Sequence, residues 1–197
     1  MGNAALADPF GQPQRTLTPW SGKLMNVPES KSPAPVHQRH KPPTALEQPR
    51  ELVLVCPSFK SKVNLSRIVR LAGCAGVGRI IVQGTGKIDP VIARDGADQV
   101  TIEPRRSLPP VLKKLKQQGL RLVGLEQTDR SQPIHNYSFA RPTALVIGHE
   151  RLGIEEATLR LLDDVIEIPV YGLPYSYNVV TATTMAVYEY CRQYPDG

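Results

Sequence analysis

The stretch IPVYGLPYSYNVVTATTMAVYEYCRQ, Ile168 to Gln193, decides how the rest of the chain is read. A short apolar run over Val165–Val170 predicts a strand. Gly172 and Pro174 then bend the chain, and an amphipathic helix is predicted to start near Asn178. Regular structure at both ends pins the side chains of such a turn, which suits a ligand site. Ser176 and Asn178 also have the chemistry of helix N-caps, so this stretch alone leaves binding and capping both open.

Working back from it, strand and helix patterns alternate as far as Glu51. ELVLVC is a short run rich in β-branched residues and reads as a buried strand. Asn64 to Val77 places Leu65, Ile68, Val69, Ala72 and Ala75 at helical spacing. RIIVQ, QVTIE, LRLVGLE and TALVIG are further strands. Asp89-Pro90 marks a helix start with proline at the first helical position. Ser107 to Gln118 and Glu155 to Leu162 read as helices. Regular βα alternation with apolar strands predicts an α/β fold, a mainly parallel sheet with helices on both faces. Ligands of such sheets bind beyond the carboxyl ends of the strands. Three polar segments fall there: SFKSKVNLSRIVRLAGCAGVG, then His149-Glu150-Arg151-Leu152-Gly153, then the opening turn. A nicotinamide cofactor would want GxGxxG after the first strand, where Pro57-Ser58-Phe59-Lys60 stands instead, and a Walker A lysine motif is absent.

Upstream of Glu51 the pattern stops. Residues 1–48 read as a flexible, proline-rich, basic tail, and 49–197 as the folded domain. Apolar residues are too sparse in the tail to offset the entropy of ordering it. KSPAPVHQRHKPP carries Lys31, His37, Arg39, His40 and Lys41, and reads either as a solubilising linker or as an arm for phosphates. Trp20 stands alone there. Deleting everything before Glu51 is expected to leave the fold intact. The net charge of +6 suits a polyanionic partner or a solvated basic surface. Three cysteines with no CxxC pair argue against a metal site or a disulfide framework and for a reducing, cytoplasmic compartment. No apolar run is long enough to span a bilayer, and the start reads as neither a signal peptide nor a myristoylation site.

NLSRIVRLAGCAGV, LVIGHERLGI and IPVYGLPYSYNVVTA resemble, in order and at similar separations, the three motifs of TrmH-type RNA ribose 2′-O-methyltransferases of the SPOUT superfamily. The resemblance covers Glu51 to about Gln193. It implies a C-terminal trefoil (α/β) knot, which strand patterns cannot show because knots are very rare. It also implies a homodimer, with S-adenosylmethionine held in the knot and no metal.

The resemblance carries over residue by residue. Asn64 and Arg70 match the first motif, and Arg70 falls at the family's catalytic arginine. A guanidinium with a pKa above about 12 is a poor base, so a phosphate clamp that also stabilises charge on the 2′-oxygen is the preferred role. Glu150 matches the second motif and is expected to fix Arg70 or a loop amide. Ser176 and Asn178 match the third motif, which orients the nucleotide and the cofactor loop. Gly148, Ile168 and Tyr177 fall at cofactor-contact positions, and Leu125, at a strand end, is a further candidate. Tyr177 departs from the family's usual leucine. VGLEQTDRS resembles members that methylate the D-loop guanosine of tRNA, so tRNA is favoured over rRNA as the substrate. A silent RNA-binding protein that kept the fold is the alternative of another class, and intact Asn64, Arg70, Glu150, Ser176 and Asn178 argue against it.

Overall fold

The computed structural model describes residues 34–39 and 41–197. The readings placed on residues 1–33 and His40, among them Trp20 and Lys31, lie outside the described residues. Two units divide the chain, Met1–Pro42 and Pro43–Gly197, and the architecture below is that of the second.

The apolar runs form seven strands. These are β1 (Leu52–Cys56), β2 (Arg79–Gln83), β3 (Thr101–Arg105), β4 (Arg121–Leu125), β5 (Gln132–Pro133), β6 (Thr143–Ile147) and β7 (Asp164–Glu167). They make one sheet in the order β3-β2-β1-β6-β4-β7-β5, and every pairing is parallel. β1 and β6 are buried along their whole length, as strands covered on both faces must be. β6 enters between β1 and β4, and β7 between β4 and β5, so the later strands insert beside strands laid down earlier.

Helices α1 (Lys62–Ala75) and α6 (Val179–Gln193) pack one face through Ile68, Val69, Ala72, Val187 and Tyr190. Helix α4 (Pro109–Gln117) covers the other through Leu112 and Leu115. Short helices α2 (Pro90–Ala93), α3 (Gly96–Gln99) and α5 (Glu156–Leu159) complete the layers. The caps follow the local chemistry. Ser61 Oγ accepts from Val63 N–H at the start of α1, and Asp89 Oδ1 from Val91 N–H at α2. At the start of β4, Arg121 binds Asp164 of β7 through two nitrogens at 2.7 and 3.0 Å. That guanidinium holds the Asp164 carboxyl below the usual carboxylate range.

The boundary read at Gln48 falls inside a packed segment. Leu46 covers the α1 C-cap at Gly76, and Glu47 N–H donates to Asp196 O at 2.9 Å. Arg50 donates to Ala75 O at 2.6 Å and Tyr194 O at 2.5 Å. This segment has no helix or strand period, so no pattern marked it as packed. The short β5 and α3 were missed for the same reason.

Candidate active site

Strand order reverses at β1, from which β2 and β3 lie to one side and β6 and β4 to the other. The loops beyond the strand ends splay apart at such a point and leave a crevice. Beside that point, beyond the carboxyl ends of β4, β6 and β7 and at the start of α6, lies a cleft of about 240 Å³. Leu125, Gly148, Glu150, Ile168, Ser176 and Tyr177 all line it. Six of the nine site residues read from sequence thus meet in one place, although they come from four separate segments.

The second motif forms a tight hairpin. His149 N–H donates to Gly153 O at 2.9 Å and Gly153 N–H returns to His149 O at 3.0 Å. Glu126, at the end of β4, buttresses it: Oε2 accepts from Ile154 N–H at 2.9 Å. The carboxylate sits so close that a Cβ on Gly148 would lie 2.7 Å from Oε2 and one on Gly153 2.5 Å. Gly153 also has φ +65°, where a side chain is strained. Glu126 lines the cleft and is the residue that sequence reading missed. Its only signal was an acid at a strand end next to a glycine-flanked loop. Gly153→Ala is expected to cost about 1–3 kcal/mol, from the strained backbone and the displaced carboxylate together. Urea unfolding checks it, and an unchanged midpoint would show that Glu126 does not fix the hairpin.

Asn64 stands in the first turn of α1 and does not itself line the cleft. Its Nδ2 donates to Glu150 Oε1 at 2.7 Å, across 86 residues of sequence. The partner of Glu150 is therefore Asn64 rather than Arg70 or a loop amide. The other oxygen, Oε2, is buried without a hydrogen bond among the described residues. His149 Nε2 stands 3.4 Å from it, while His149 Nδ1 accepts from Arg151 N–H.

Arg70 and Asn178 lie outside the cleft lining. Arg70 is exposed, its side chain makes no hydrogen bond among the described residues, and its backbone is packed against Gly96. Asn178 is the N-cap of α6, with Oδ1 accepting from Val180 N–H at 2.9 Å. The capping reading of Asn178 is thus realised, and its Nδ2 stays available. Residues Tyr171 to Asn178 are all exposed, with Tyr171 at 89% and Tyr175 at 81%. No group of His, Cys, Asp and Glu among the described residues could hold a metal ion, and no described helix is long and apolar enough to cross a membrane.

The SpoU rRNA Methylase family matches residues 51–188. The chain is 29% identical over 133 residues to a tRNA (guanosine(18)-2′-O)-methyltransferase of Escherichia coli K12, covering 66% of this chain and 58% of that one. It thus spans little more than half the length of that relative. The crystal structure of the TrmH/SpoU tRNA modifying enzyme of A. aeolicus superposes with a TM-score of 0.72 at 27% identity, covering 77% of this chain and 79% of that one. The SpoU methyltransferase AviRb of Streptomyces viridochromogenes, solved in complex with AdoMet, has the same fold. Its TM-score is 0.65 at 24% identity, with 77% of this chain and 64% of that one covered.

Proposed function

The chain belongs to the SpoU rRNA Methylase family, and from that premise we propose that it is an S-adenosylmethionine-dependent RNA ribose 2′-O-methyltransferase acting on a guanosine of the tRNA D-loop. The observation that carries this reading is the Asn64–Glu150 hydrogen bond. It ties the first motif to the second at the rim of a cleft built by the second and third. The tRNA assignment rests on the two tRNA-directed relatives and on the VGLEQTDRS segment. The family's own name keeps rRNA as the second reading.

The cleft residues fit the cofactor. Leu125, Ile147, Ile168 and Val179 offer an apolar wall to a purine, and Gly148 lets a ligand approach the main chain. Glu126, Glu150 and Glu167 present carboxylates to a molecule that carries a sulfonium and an ammonium group. Bound there, the cofactor supplies an activated methyl group. The buried, unpartnered Oε2 of Glu150 accepts the hydrogen bond of the ribose 2′-hydroxyl, while Asn64 holds the other oxygen in place. Arg70 clamps the neighbouring phosphate and offsets negative charge on the 2′-oxygen. Ser176 and Asn178 hold the loop that closes the cleft. Tyr177 lines the cleft and is 41% exposed, so its ring lies at the edge, where it tolerates the change from leucine.

In this reading the C-terminal segment is knotted, the enzyme is a cytoplasmic homodimer, and Tyr171, Leu173, Tyr175 and Tyr188 belong to the dimer surface. All four are more than 70% exposed, and large apolar groups left so exposed suit an interface.

Calorimetry with a chelator present tests the cofactor: S-adenosylmethionine and its demethylated product should both bind, and NAD should not. Tritiated-methyl incorporation into separate tRNA and rRNA pools then tests the substrate. No binding of either molecule at about millimolar concentration, where even the weakest specific ligands register, would sink the enzyme reading. Labelling of rRNA alone would overturn the tRNA assignment.

A further inference from the structure

A second cleft, of about 340 Å³, opens on the other side of the His149–Gly153 hairpin. Ile147, His149 and Gly153 line both clefts, so the two share one wall, the hairpin that also carries Glu150 on the side of the first cleft. Ser58 after β1, Gln83 at the end of β2, Ser107 ahead of α4 and Glu155 ahead of α5 supply the polar groups of the second cleft. Leu108 and Ile154 are buried in its apolar wall.

The chemistry of the lining restricts the ligand. It contains no lysine or arginine. Helix α4 opens with Pro109 and Pro110, which have no N–H to offer an anion. A phosphate would meet no lysine or arginine here, whereas a neutral, flat heterocycle with a hydrogen-bonding edge suits the lining. Glu155 sharpens the choice. It lines the cleft at its exposed mouth, and its side chain makes no hydrogen bond or ion pair among the described residues, so the carboxylate is free to meet a ligand. A carboxylate accepts two parallel N–H donors. Among the RNA bases, guanine alone presents two such donors side by side, N1–H and the 2-amino group.

We propose that this second cleft takes the guanine base of the nucleotide whose ribose is methylated, with Glu155 reading its Watson–Crick edge and Gln83 and Ser107 supplying further polar contacts. The inference rests on the methyltransferase reading. Donor and base then lie on opposite sides of the hairpin, and the ribose between them meets Glu150.

The test uses the full chain and in vitro tRNA transcripts carrying 6-thioguanosine. On irradiation, cross-links should map by mass to the peptides holding Ser58, Ser107 or Glu155. Glu155→Gln should raise the KM for RNA about tenfold or more, the usual worth of a bidentate base contact. The affinity for S-adenosylmethionine should stay unchanged, which a collapsed fold would not allow. Gln83→Ala is the second variant and should raise the same KM less. Wild-type KM in both variants, or cross-links confined to other surfaces, overturns the pocket. A chain that cross-links at these peptides but transfers no methyl group removes the methyltransferase reading and leaves the base pocket standing.

Discussion

Arg70→Ala and Asn178→Ala are each expected to lower methyl transfer by about 10²–10³-fold as homodimers, the cost of deleting a group that acts on the reacting centre. Arg70 is six residues beyond Asn64 on α1, which is about 9 Å along the axis and about 120° round it. Since Asn64 points at Glu150, Arg70 of the same chain is aimed elsewhere, and it is exposed. The reading that follows is that Arg70 serves the cleft of the partner subunit. Methyl transfer is an in-line displacement, so donor and 2′-oxygen must be held from opposite sides of one gap. Cofactor affinity should survive Arg70→Ala. Asn178→Ala also removes the α6 cap, so Asn178→Ser, which keeps a capping oxygen, separates folding from catalysis. After subunit exchange between the two alanine variants, half the dimers are mixed and one of their two sites is intact. Activity should then return to about a quarter of wild type, as two-fold symmetry requires. Mixed dimers confirmed by mass that stay at the homodimer level would place the whole site in one chain.

Truncation should show a sharp threshold between Pro43 and Glu51. A chain starting at Pro43 keeps Leu46 over Gly76, the Glu47–Asp196 hydrogen bond and the Arg50 anchor. It should unfold at the wild-type midpoint. A chain starting at Glu51 leaves the carbonyls of Ala75 and Tyr194 without their guanidinium partner and strips Leu46 from the end of α1. Three such losses of about 1 kcal/mol each predict roughly 3 kcal/mol of destabilisation. Denaturant unfolding of the two truncations measures it. Equal midpoints would mean that residues 43–50 add nothing to stability, in line with the expectation that deletion before Glu51 leaves the fold intact. If residues before Pro43 contact RNA, the first truncation should also flatten the salt dependence of RNA binding.

The strands were legible because burial on both faces demands unbroken apolar runs, and β1, β2 and β6 are such runs. Helix starts were legible where a side chain caps, as at Asp89 and Asn178. The site was legible as three motifs, and Leu125, Gly148, Glu150, Ile168, Ser176 and Tyr177 do converge. What the motifs could not convey was who touches whom. Sequence reading paired Glu150 with Arg70 or an amide, whereas the fold brings it to Asn64. That choice depends on the rotation of α1 about its axis, which is set by Ile68, Val69 and Ala72 packing on the sheet. Glu126 stayed hidden because its role lies in the few tenths of an ångström between a carboxylate and two glycine backbones.

Alternating periodicity, which needs only neighbouring residues, was thus enough to determine the α/β class, the helix caps and the strand-end location of the chemistry. The strand order, with β6 and β7 inserted between earlier strands, required contacts distant in sequence, and only the tertiary structure decided it. The same holds for the two clefts on either side of one hairpin. Their walls come from loops that share no local pattern and are brought together by the packing of the whole sheet.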